Sequence, residues 1–195
     1  MSAQPQPRVT PEEYLVRESA AEFKSEYRGG EIVAMAGASP SHVRLVANLT
    51  TGLNNRLNDG PCITYGTDLR VQVNATRYTY PDITVACGEP QFSFFKGIGT
   101  LLNPILIMEV LSPSTEGYDR GEKFAYYHQI EGFQEYVLVS VHIPKIEHFV
   151  RQPNGLWLYE SVGGLEETVT LPTIGCELPL REVYNRVSLE PVSYE

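Results

Sequence analysis

One acidic residue lies inside an otherwise apolar segment of this chain, and it limits the folds that the chain can adopt. Residues 104–111 read Pro-Ile-Leu-Ile-Met-Glu-Val-Leu, and Glu109 is the only charged residue among them. An apolar run of this length predicts a strand that is buried on both faces. An ionised carboxylate there loses its hydration, which costs several kcal/mol unless a cation, a metal ion or hydrogen bonds replace the water. Glu109 therefore indicates a polar site on a core strand.

A second apolar segment carries a single acid in the same way. Asp82 follows Pro81 inside residues 78–86, which predict another core strand. Two lone carboxylates on two core strands favour one shared metal site. Two alternatives stay open: Asp82 can accept a hydrogen bond from a backbone N–H at a strand edge, and Glu109 can belong to a buried structural ion pair.

A lysine lies where this site needs a cation. Residues 119–130 predict a helix, and Lys123 lies near the middle of its apolar stripe, because successive residues turn by about 100°. The stripe consists of Lys123, Phe124, Tyr126, Tyr127 and Ile130. Asp119 lies one turn earlier on the same side, so Lys123 is directed toward Glu109. The alternative is a solvated Asp119–Lys123 pair, which stabilises a helix by only a few tenths of a kcal/mol.

Two carboxylates and a lysine are suited to the cleavage of phosphodiester bonds. Asp82 and Glu109 offer hard oxygen ligands, which favour Mg²⁺. A bound Mg²⁺ polarises the phosphate and lowers the pKa of a bound water. Lys123 then orients the attacking water, helps to deprotonate it, or stabilises charge that develops on the phosphate.

Composition narrows the class of protein. The chain has 195 residues and a net charge of −9. This length suffices for one domain, which we expect over residues 10–190 after a flexible tail of residues 1–9.

No apolar run approaches the roughly 18 residues that span a bilayer, and no secretory signal is recognisable, so we expect a cytoplasmic protein without a membrane partner. The negative charge disfavours nucleic acid on average.

The three cysteines, Cys62, Cys87 and Cys176, are widely spaced and odd in number. Because they form no Cys-x-x-Cys pair, neither a structural zinc site nor a disulfide framework is expected. They are interpreted as small buried apolar side chains.

The remaining pattern predicts a mixed α/β (α+β) fold class. Helices are predicted over residues 11–20, 40–57, 119–130 and 180–187, with Thr10 and Ser39 as the N-caps of the first two. Strands are predicted over residues 23–28, 31–35, 62–65, 69–73, 78–86, 104–111, 134–140, 146–151 and 156–161. Residues 88–100 are predicted as a loop that contains three phenylalanines.

The order of these residues resembles a known group of enzymes. Pro81-Asp82, then Glu109, then a lysine is similar to the PD-(D/E)XK nuclease superfamily, and within it to the Uma-type restriction endonucleases. The resemblance extends from about Pro11 to Val187. The residues that carry it are Gly30-Glu31-Ile32, Gly37, His42, Thr67-Asp68-Leu69-Arg70-Val71, Tyr80-Pro81-Asp82, Glu109-Val110-Leu111-Ser112-Pro113-Ser114-Thr115, Tyr118-Asp119-Arg120-Gly121-Glu122-Lys123 and Tyr136.

The resemblance implies a restriction-endonuclease-like central mixed β-sheet flanked by helices, with additional N- and C-terminal hairpins. It implies a divalent-metal-dependent endonuclease that uses Mg²⁺, with Mn²⁺ as a substitute, and that acts on nucleic acid, first of all DNA. Asp82 and Glu109 would bind the metal together with the Val110 carbonyl, and Lys123 would be the catalytic lysine. The superfamily's usual lysine stands two residues after the acid, where this chain has Leu111.

Accessory residues are expected around this centre. Glu31 is a candidate further metal ligand or an exposed hairpin acid, and His42 is a site residue or a structural histidine. Asp119 is a candidate partner of Lys123. The basic candidates for phosphate contact, with solvated surface charge as the alternative, are Arg44, Arg70, Arg77, Lys96 and Arg120.

Two functions stay open from the sequence. The first is the metal-dependent endonuclease, and a homodimer is expected for it because cutting both strands of a duplex requires two sites. The second is a catalytically inactive binding or interaction protein of the same fold, in which the acids form a structural ion-pair cluster. In the aromatic segment 88–100, Phe92, Phe94 and Phe95 either stack on bases or pack within the fold or a dimer, and packing is favoured.

Overall fold

A computed structural model describes residues 8–191 of the chain. The helices in this range are α1 (Pro11–Glu18), α2 (Pro40–Leu57), α3 (Glu116–Tyr118), α4 (Phe124–Tyr127) and α5 (Leu180–Val183), and a π-helical turn, Asp119–Lys123, joins α3 to α4. The strands are β1 (Ser25–Arg28), β2 (Glu31–Ala34), β3 (Cys62–Tyr65), β4 (Arg70–Asn74), β5 (Arg77–Thr79), β6 (Ile83–Cys87), β7 (Phe92–Phe95), β8 (Ile98–Leu101), β9 (Leu106–Val110), β10 (Glu135–Val139), β11 (Lys145–Arg151), β12 (Trp157–Gly163), β13 (Thr168–Leu171) and β14 (Cys176–Pro179).

The strands form two six-stranded sheets and one two-stranded sheet. The first sheet has the order β2-β1-β5-β4-β8-β7, and the second has the order β12-β11-β10-β9-β6-β3. Both are mixed, because β4 pairs with β8 and β9 pairs with β10 in parallel, whereas the other pairs are antiparallel. The predicted mixed α/β (α+β) class, with mixed sheet and flanking helices, is confirmed. One central sheet with additional hairpins was expected. The N-terminal hairpin, β1 and β2, instead belongs to a separate six-stranded sheet.

The second sheet contains the predicted core strand and buries both of its faces. Leu106, Met108 and Val110 pack into one hydrophobic cluster with α2, and Ile107 and Leu111 pack into another. The second cluster also contains apolar residues of the first sheet and of the helical connection after β9. The predicted strand with two buried faces is therefore confirmed, and Glu109 lies between the second sheet and that helical connection.

Residues 78–86 do not form one strand as predicted. β5 ends at Thr79 in the first sheet, and β6 begins at Ile83 in the second. Pro81 has no N–H to donate to a strand partner, so strand pairing stops there. Asp82 consequently lies where the chain passes from one sheet to the other.

Two hairpins were not predicted. Residues 88–100 contain β7 and β8 instead of a loop, and the connecting residues Lys96 and Gly97 both have positive φ, 48° and 84°. Two positive φ values in a two-residue connection are typical of a type I′ turn. β13 and β14 form the second unpredicted hairpin.

The structure contradicts the expectation that the chain has no disulfide. Cys62 and Cys87 are disulfide-bonded, because the antiparallel pairing of β3 with β6 places them directly opposite each other. A separation of 25 residues along the chain does not reveal this pairing. Cys176 is free and buried, as predicted.

The predicted tail lies mainly outside the described residues, and its last residue, Val9, is hydrogen-bonded to the first hairpin. The Val9 N–H donates to the Gly30 carbonyl at 2.9 Å, and the Val9 carbonyl accepts from the Tyr27 hydroxyl at 2.7 Å. α1 then begins with the predicted capping box, in which Thr10 and Glu13 bond each other's backbone N–H. Among the described helices, none is long and apolar enough to cross a membrane.

Candidate active site

Strand register brings the two predicted acids together. β6 and β9 run antiparallel with Ile83 opposite Met108, and one further step in this register places Asp82 opposite Glu109. The next step places Pro81 beside Val110. Because proline has no N–H, it cannot donate to the Val110 carbonyl, so the β6–β9 pairing does not extend to Val110, whereas the β9–β10 pairing does.

Glu109 is buried and lies at the centre of a polar cluster. Its Oε1 atom is 2.9 Å from Lys123 Nζ and accepts a hydrogen bond of 2.8 Å from the Tyr127 hydroxyl. Burial raises the pKa of Glu109 to about 8, since the opposing effect of Lys123 is smaller and the charges of Asp119 and Asp82 raise the pKa further. In the absence of other cations, the cluster therefore holds a proton on Glu109 near neutral pH.

Lys123 is 7% exposed and meets three carboxylates. Besides Glu109, its Nζ atom lies 3.2 Å from Asp119 Oδ1 and 3.8 Å from Glu26 Oε1. Burial by itself lowers the pKa of Lys123, but the three carboxylates outweigh it and raise this pKa well above its ordinary value. Lys123 is consequently an ammonium ion at neutral pH.

The helical connection after β9 holds Lys123 through an irregular turn. Residues Asp119–Lys123 are π-helical, a conformation that occurs mostly as single turns and often at functional sites. The Tyr136 hydroxyl donates to the Asp119 carbonyl at 3.0 Å. Arg120 anchors the same turn through Glu116, at 2.7 Å, and through Glu147 of β11. These bonds hold the turn against the second sheet.

Asp82 is held from two directions. Its Oδ2 atom accepts from the Val110 N–H at 2.8 Å and lies 3.1 Å from His42 Nε2. His42 comes from the first turn of α2, where its N–H bonds the Ser39 side chain. Burial lowers the pKa of His42, but the hydrogen bond and charge of Asp82, together with the Val110 backbone, outweigh burial and raise it.

Two members of the cluster were missed as site residues in the sequence. Glu26 of β1 is buried beside Lys123 and bonds Arg28 through Nε at 3.0 Å and Nη2 at 2.6 Å. The sequence offers one indication of the Glu26–Arg28 pair. The two residues are two positions apart on a predicted strand, so their side chains lie on the same face. Tyr127 belongs to the predicted apolar stripe, which does not predict the bond of its hydroxyl to Glu109.

The other predicted residues divide into two groups. Glu31 is exposed on β2, and it forms no ion pair or side-chain hydrogen bond within residues 8–191. Asp119 and His42, by contrast, join the cluster through Lys123 and Asp82. The structure therefore brings Asp119 and His42, but not Glu31, to the cluster.

Most predicted phosphate contacts have partners inside the protein. Arg70 is buried, bonds Thr100 at 2.8 Å and faces the Tyr14 and Tyr78 rings, so it is not the surface contact that was expected. Arg77 stacks at 3.3 Å on the Tyr126 ring. Arg120 is paired as described above. Arg44 and Lys96 remain without an ion pair among residues 8–191.

The oxygen atoms of the site fit a hard divalent cation. No cluster of three or more His, Cys, Asp or Glu side chains with the geometry of a metal site occurs in residues 8–191. Two carboxylates, a backbone carbonyl and water are nevertheless a sufficient ligand set for Mg²⁺, which usually retains several waters. The hydrogen bonds and ion pairs engage Oε1 of Glu109 and Oδ2 of Asp82, which leaves the second oxygen of each acid for a cation.

The raised pKa of Glu109 predicts a pH dependence of stability. Between its ordinary pKa of 4.5 and the folded value of about 8, the folded state binds more protons than the unfolded state. The free energy of unfolding should therefore fall as pH rises through this window. Urea denaturation with a chelator at about pH 5.5 and pH 8 measures the fall, and Glu109→Gln should reduce it.

An exposed acid of the same helical connection supplies the control for this measurement. Glu122→Gln should leave the pH dependence as in the wild type, because Glu122 is exposed and makes no side-chain ion pair within residues 8–191. If Glu109→Gln and the wild type lose equal stability between the two pH values, the shifted pKa of Glu109 is wrong.

Sequence comparisons identify relatives over most of the chain. The family model described as "Uma2: Putative restriction endonuclease" matches residues 11–181. From Synechocystis sp., "Uncharacterized protein slr1290" is 38% identical over 184 residues, which cover 92% of this chain and 93% of that protein. From the same organism, "Uncharacterized protein sll1609" is 37% identical over 157 residues, which cover 80% of this chain and 88% of that protein.

A solved structure shares the fold. It is described as a "putative nuclease belonging to DUF820" from Anabaena variabilis, and it superposes with a TM-score of 0.75 at 18% identity over 92% of this chain and 99% of that one. This likeness supports the architecture described above. The family match over residues 11–181 and the two long alignments place this chain, together with its Asp82, Glu109 and Lys123 cluster, in the Uma2 family.

Proposed function

We propose that this protein is a divalent-metal-dependent endonuclease that hydrolyses phosphodiester bonds in nucleic acid, with DNA as the substrate. Asp82, Glu109 and the Val110 carbonyl would hold Mg²⁺, for which Mn²⁺ can substitute, and Lys123 would act on the phosphate. The family description and the nuclease named for the structural neighbour support this proposal. A cytoplasmic location agrees with it.

One observation carries the proposal: the buried cluster contains more acid than cation. Four acidic side chains, those of Asp82, Glu109, Asp119 and Glu26, have only two permanently charged partners, Lys123 and Arg28. The remaining positive charge comes from a proton on Glu109 and from His42 beside Asp82. A purely structural cluster would be expected to balance its charges, because an unpaired buried charge is destabilising. A divalent cation beside Asp82 and Glu109 would take the place of the proton on Glu109 and pair with both acids.

The chain's own residues divide the work of the reaction. When bound, the metal ion would polarise the scissile phosphate and activate a bound water. Lys123 retains its proton because of its raised pKa, so its role is to stabilise developing negative charge and not to remove a proton from water. Tyr127 holds the Oε1 atom of Glu109, and the Val110 N–H and His42 hold Asp82, so both acids are oriented in advance.

Metal binding and DNA cleavage test the proposal together. Titration calorimetry should detect Mn²⁺ and Mg²⁺ binding to the wild type, and the same protein should nick supercoiled plasmid only when one of these ions is present. Saturation with metal at about 100 times its Kd should also raise the free energy of unfolding by about 3 kcal/mol. Added chelator should abolish both the stabilisation and the nicking.

The same measurements test the alternative, a binding protein with a structural ion-pair cluster. The internal pairing of Arg70, Arg77 and Arg120 favours this alternative, since it leaves few cations for phosphate. Absence of metal binding at millimolar concentration, with no nicking by well-folded protein, would rule out the endonuclease proposal.

A further inference from the structure

The second sheet ends in a long strand whose outer edge is open. β12 has seven residues and pairs only with β11 among the described strands. The other edge strands, β2 and β7 in the first sheet and β3 in the second, have only four residues each. A long strand with unpaired backbone groups is a template for pairing with another chain.

The phase of the β11–β12 ladder shows which backbone groups point outward. The Gln152 N–H donates to the Leu156 carbonyl and the Gly164 N–H to the Pro144 carbonyl, so the even-numbered residues of β12 bond β11. In an antiparallel pair, residues alternate between those that bond the partner strand and those that do not. Trp157, Tyr159, Ser161 and Gly163 therefore direct their N–H and C=O groups away from β11, toward the open edge.

β12 lacks the features that usually protect an edge strand. Natural edges carry lysine, proline or a bulge, or they are short. β12 contains none of these: its register with β11 is continuous, and Glu160 is its only charged residue. Leu156 just before the strand and Leu158 and Tyr159 within it are 67%, 57% and 51% exposed. Apolar side chains thus accompany the open backbone groups.

We propose that β12 pairs with β12 of a second copy of this chain, in antiparallel orientation around a twofold axis. Two identical strands satisfy a closed twofold only when they run antiparallel, and each then offers the other the same groups. Pairing centred on Tyr159 joins outward-facing residues, with Tyr159 opposite Tyr159 and Trp157 opposite Ser161, and forms about six backbone hydrogen bonds. Centring on Glu160 would instead place two carboxylates opposite each other.

The pairing joins two second sheets into one continuous sheet of twelve strands. Seven strand steps then separate the two copies of β9, through β10, β11 and β12 of each chain. At about 4.8 Å per step, the two Glu109 positions are about 34 Å apart along the sheet, close to the length of one turn of B-DNA, about 34 Å. This last consequence rests on the proposed endonuclease function, whereas the dimer does not.

A proline at an outward-facing position tests the interface without breaking the fold. The Ser161 N–H faces the open edge, so Ser161→Pro removes two hydrogen bonds of the proposed dimer, one from each chain, and none of the β11–β12 ladder. In sedimentation velocity at micromolar concentration, the wild type and Ser161→Ala should be dimers and Ser161→Pro a folded monomer. The melting temperature should rise with protein concentration for the two dimers and not for Ser161→Pro. A monomeric wild type, or a folded Ser161→Pro that stays dimeric, would overturn the proposal.

Cysteine crosslinking tests the register. Tyr159→Cys should form an intermolecular disulfide under mild oxidation, because the two residues face each other across the axis, whereas Glu160→Cys should not. Crosslinking of Glu160→Cys alone would contradict the Tyr159-centred pairing. These outcomes do not depend on catalysis: a dimer that neither binds metal nor nicks plasmid would refute the endonuclease and leave the interface standing.

Discussion

Replacement of Lys123 by methionine is expected to lower the free energy of unfolding by about 3–5 kcal/mol at pH 8, because it leaves buried carboxylates without their cation. Glu109 and Asp119 lie within 2.9 and 3.2 Å of Lys123 Nζ. The loss should be smaller at about pH 5.5, where Glu109, whose pKa is raised, takes up a proton more readily. Urea denaturation at the two pH values measures both effects.

A surface lysine provides the matched control. Lys145 pairs with Glu147 at 3.1 Å, and its side chain is 33% exposed. Without Lys145, the buried Glu147 keeps its bonds to Arg120 and to the Tyr159 hydroxyl, so Lys145→Met should cost no more than about 1 kcal/mol. Equal losses for Lys123→Met and Lys145→Met would show that the buried cluster does not depend on its lysine.

Activity separates the chemical role of Lys123 from its structural role. The double variant Lys123→Met with Glu109→Gln removes one cation and one acid, and it should recover part of the lost stability. Because Glu109 and Lys123 are both proposed to act in cleavage, neither the single nor the double variant should nick plasmid. Nicking by folded Lys123→Met at the wild-type rate would refute a role for this lysine in catalysis.

Replacement of Asp82 by asparagine is expected to have the second large effect, on metal binding and cleavage. Asparagine keeps an oxygen for the Val110 N–H, which Asp82 now accepts at 2.8 Å, but it removes the charge that would hold a cation. Mn²⁺ affinity and plasmid nicking should each fall at least about 100-fold, while stability should change by about 1 kcal/mol or less.

Asp68 supplies the control for Asp82. It is an exposed acid whose carboxylate pairs with Lys24 at 2.7 Å. Asp68→Asn should leave metal affinity, nicking and melting temperature near the wild-type values. If Asp82→Asn binds Mn²⁺ as tightly as the wild type does, Asp82 is not a metal ligand and its function is to bond Val110 and His42.

Short-range pattern was enough to place the centre of the candidate site. Residues 104–111 predicted a strand that is buried on both faces and carries Glu109, and the helical spacing of 119–130 directed Lys123 at Glu109. The structure places these two side chains 2.9 Å apart. Both inferences depend only on strand and helix periodicity, which neighbouring residues determine.

The parts of the site that come from distant segments were not predictable in this way. Glu26 reaches Lys123 because β1 lies inside the first sheet, between β2 and β5. Arg70, expected at the surface, is buried because its side chain faces the rings of Tyr14 on α1 and Tyr78 on β5. The sequence shows that these residues lie on strands but not which strands are neighbours.

Local sequence therefore established the core strand of Glu109, the capped helices and the direction of Lys123, since each depends on residues within a few positions. Tertiary structure decided the Cys62–Cys87 pairing, the passage of Asp82 between two sheets and the balance of buried charge. The physical reason is that strand pairing joins residues far apart in the chain, and desolvation depends on everything that surrounds a group. The pKa of Glu109 is a property of that complete environment and not of the strand that carries it.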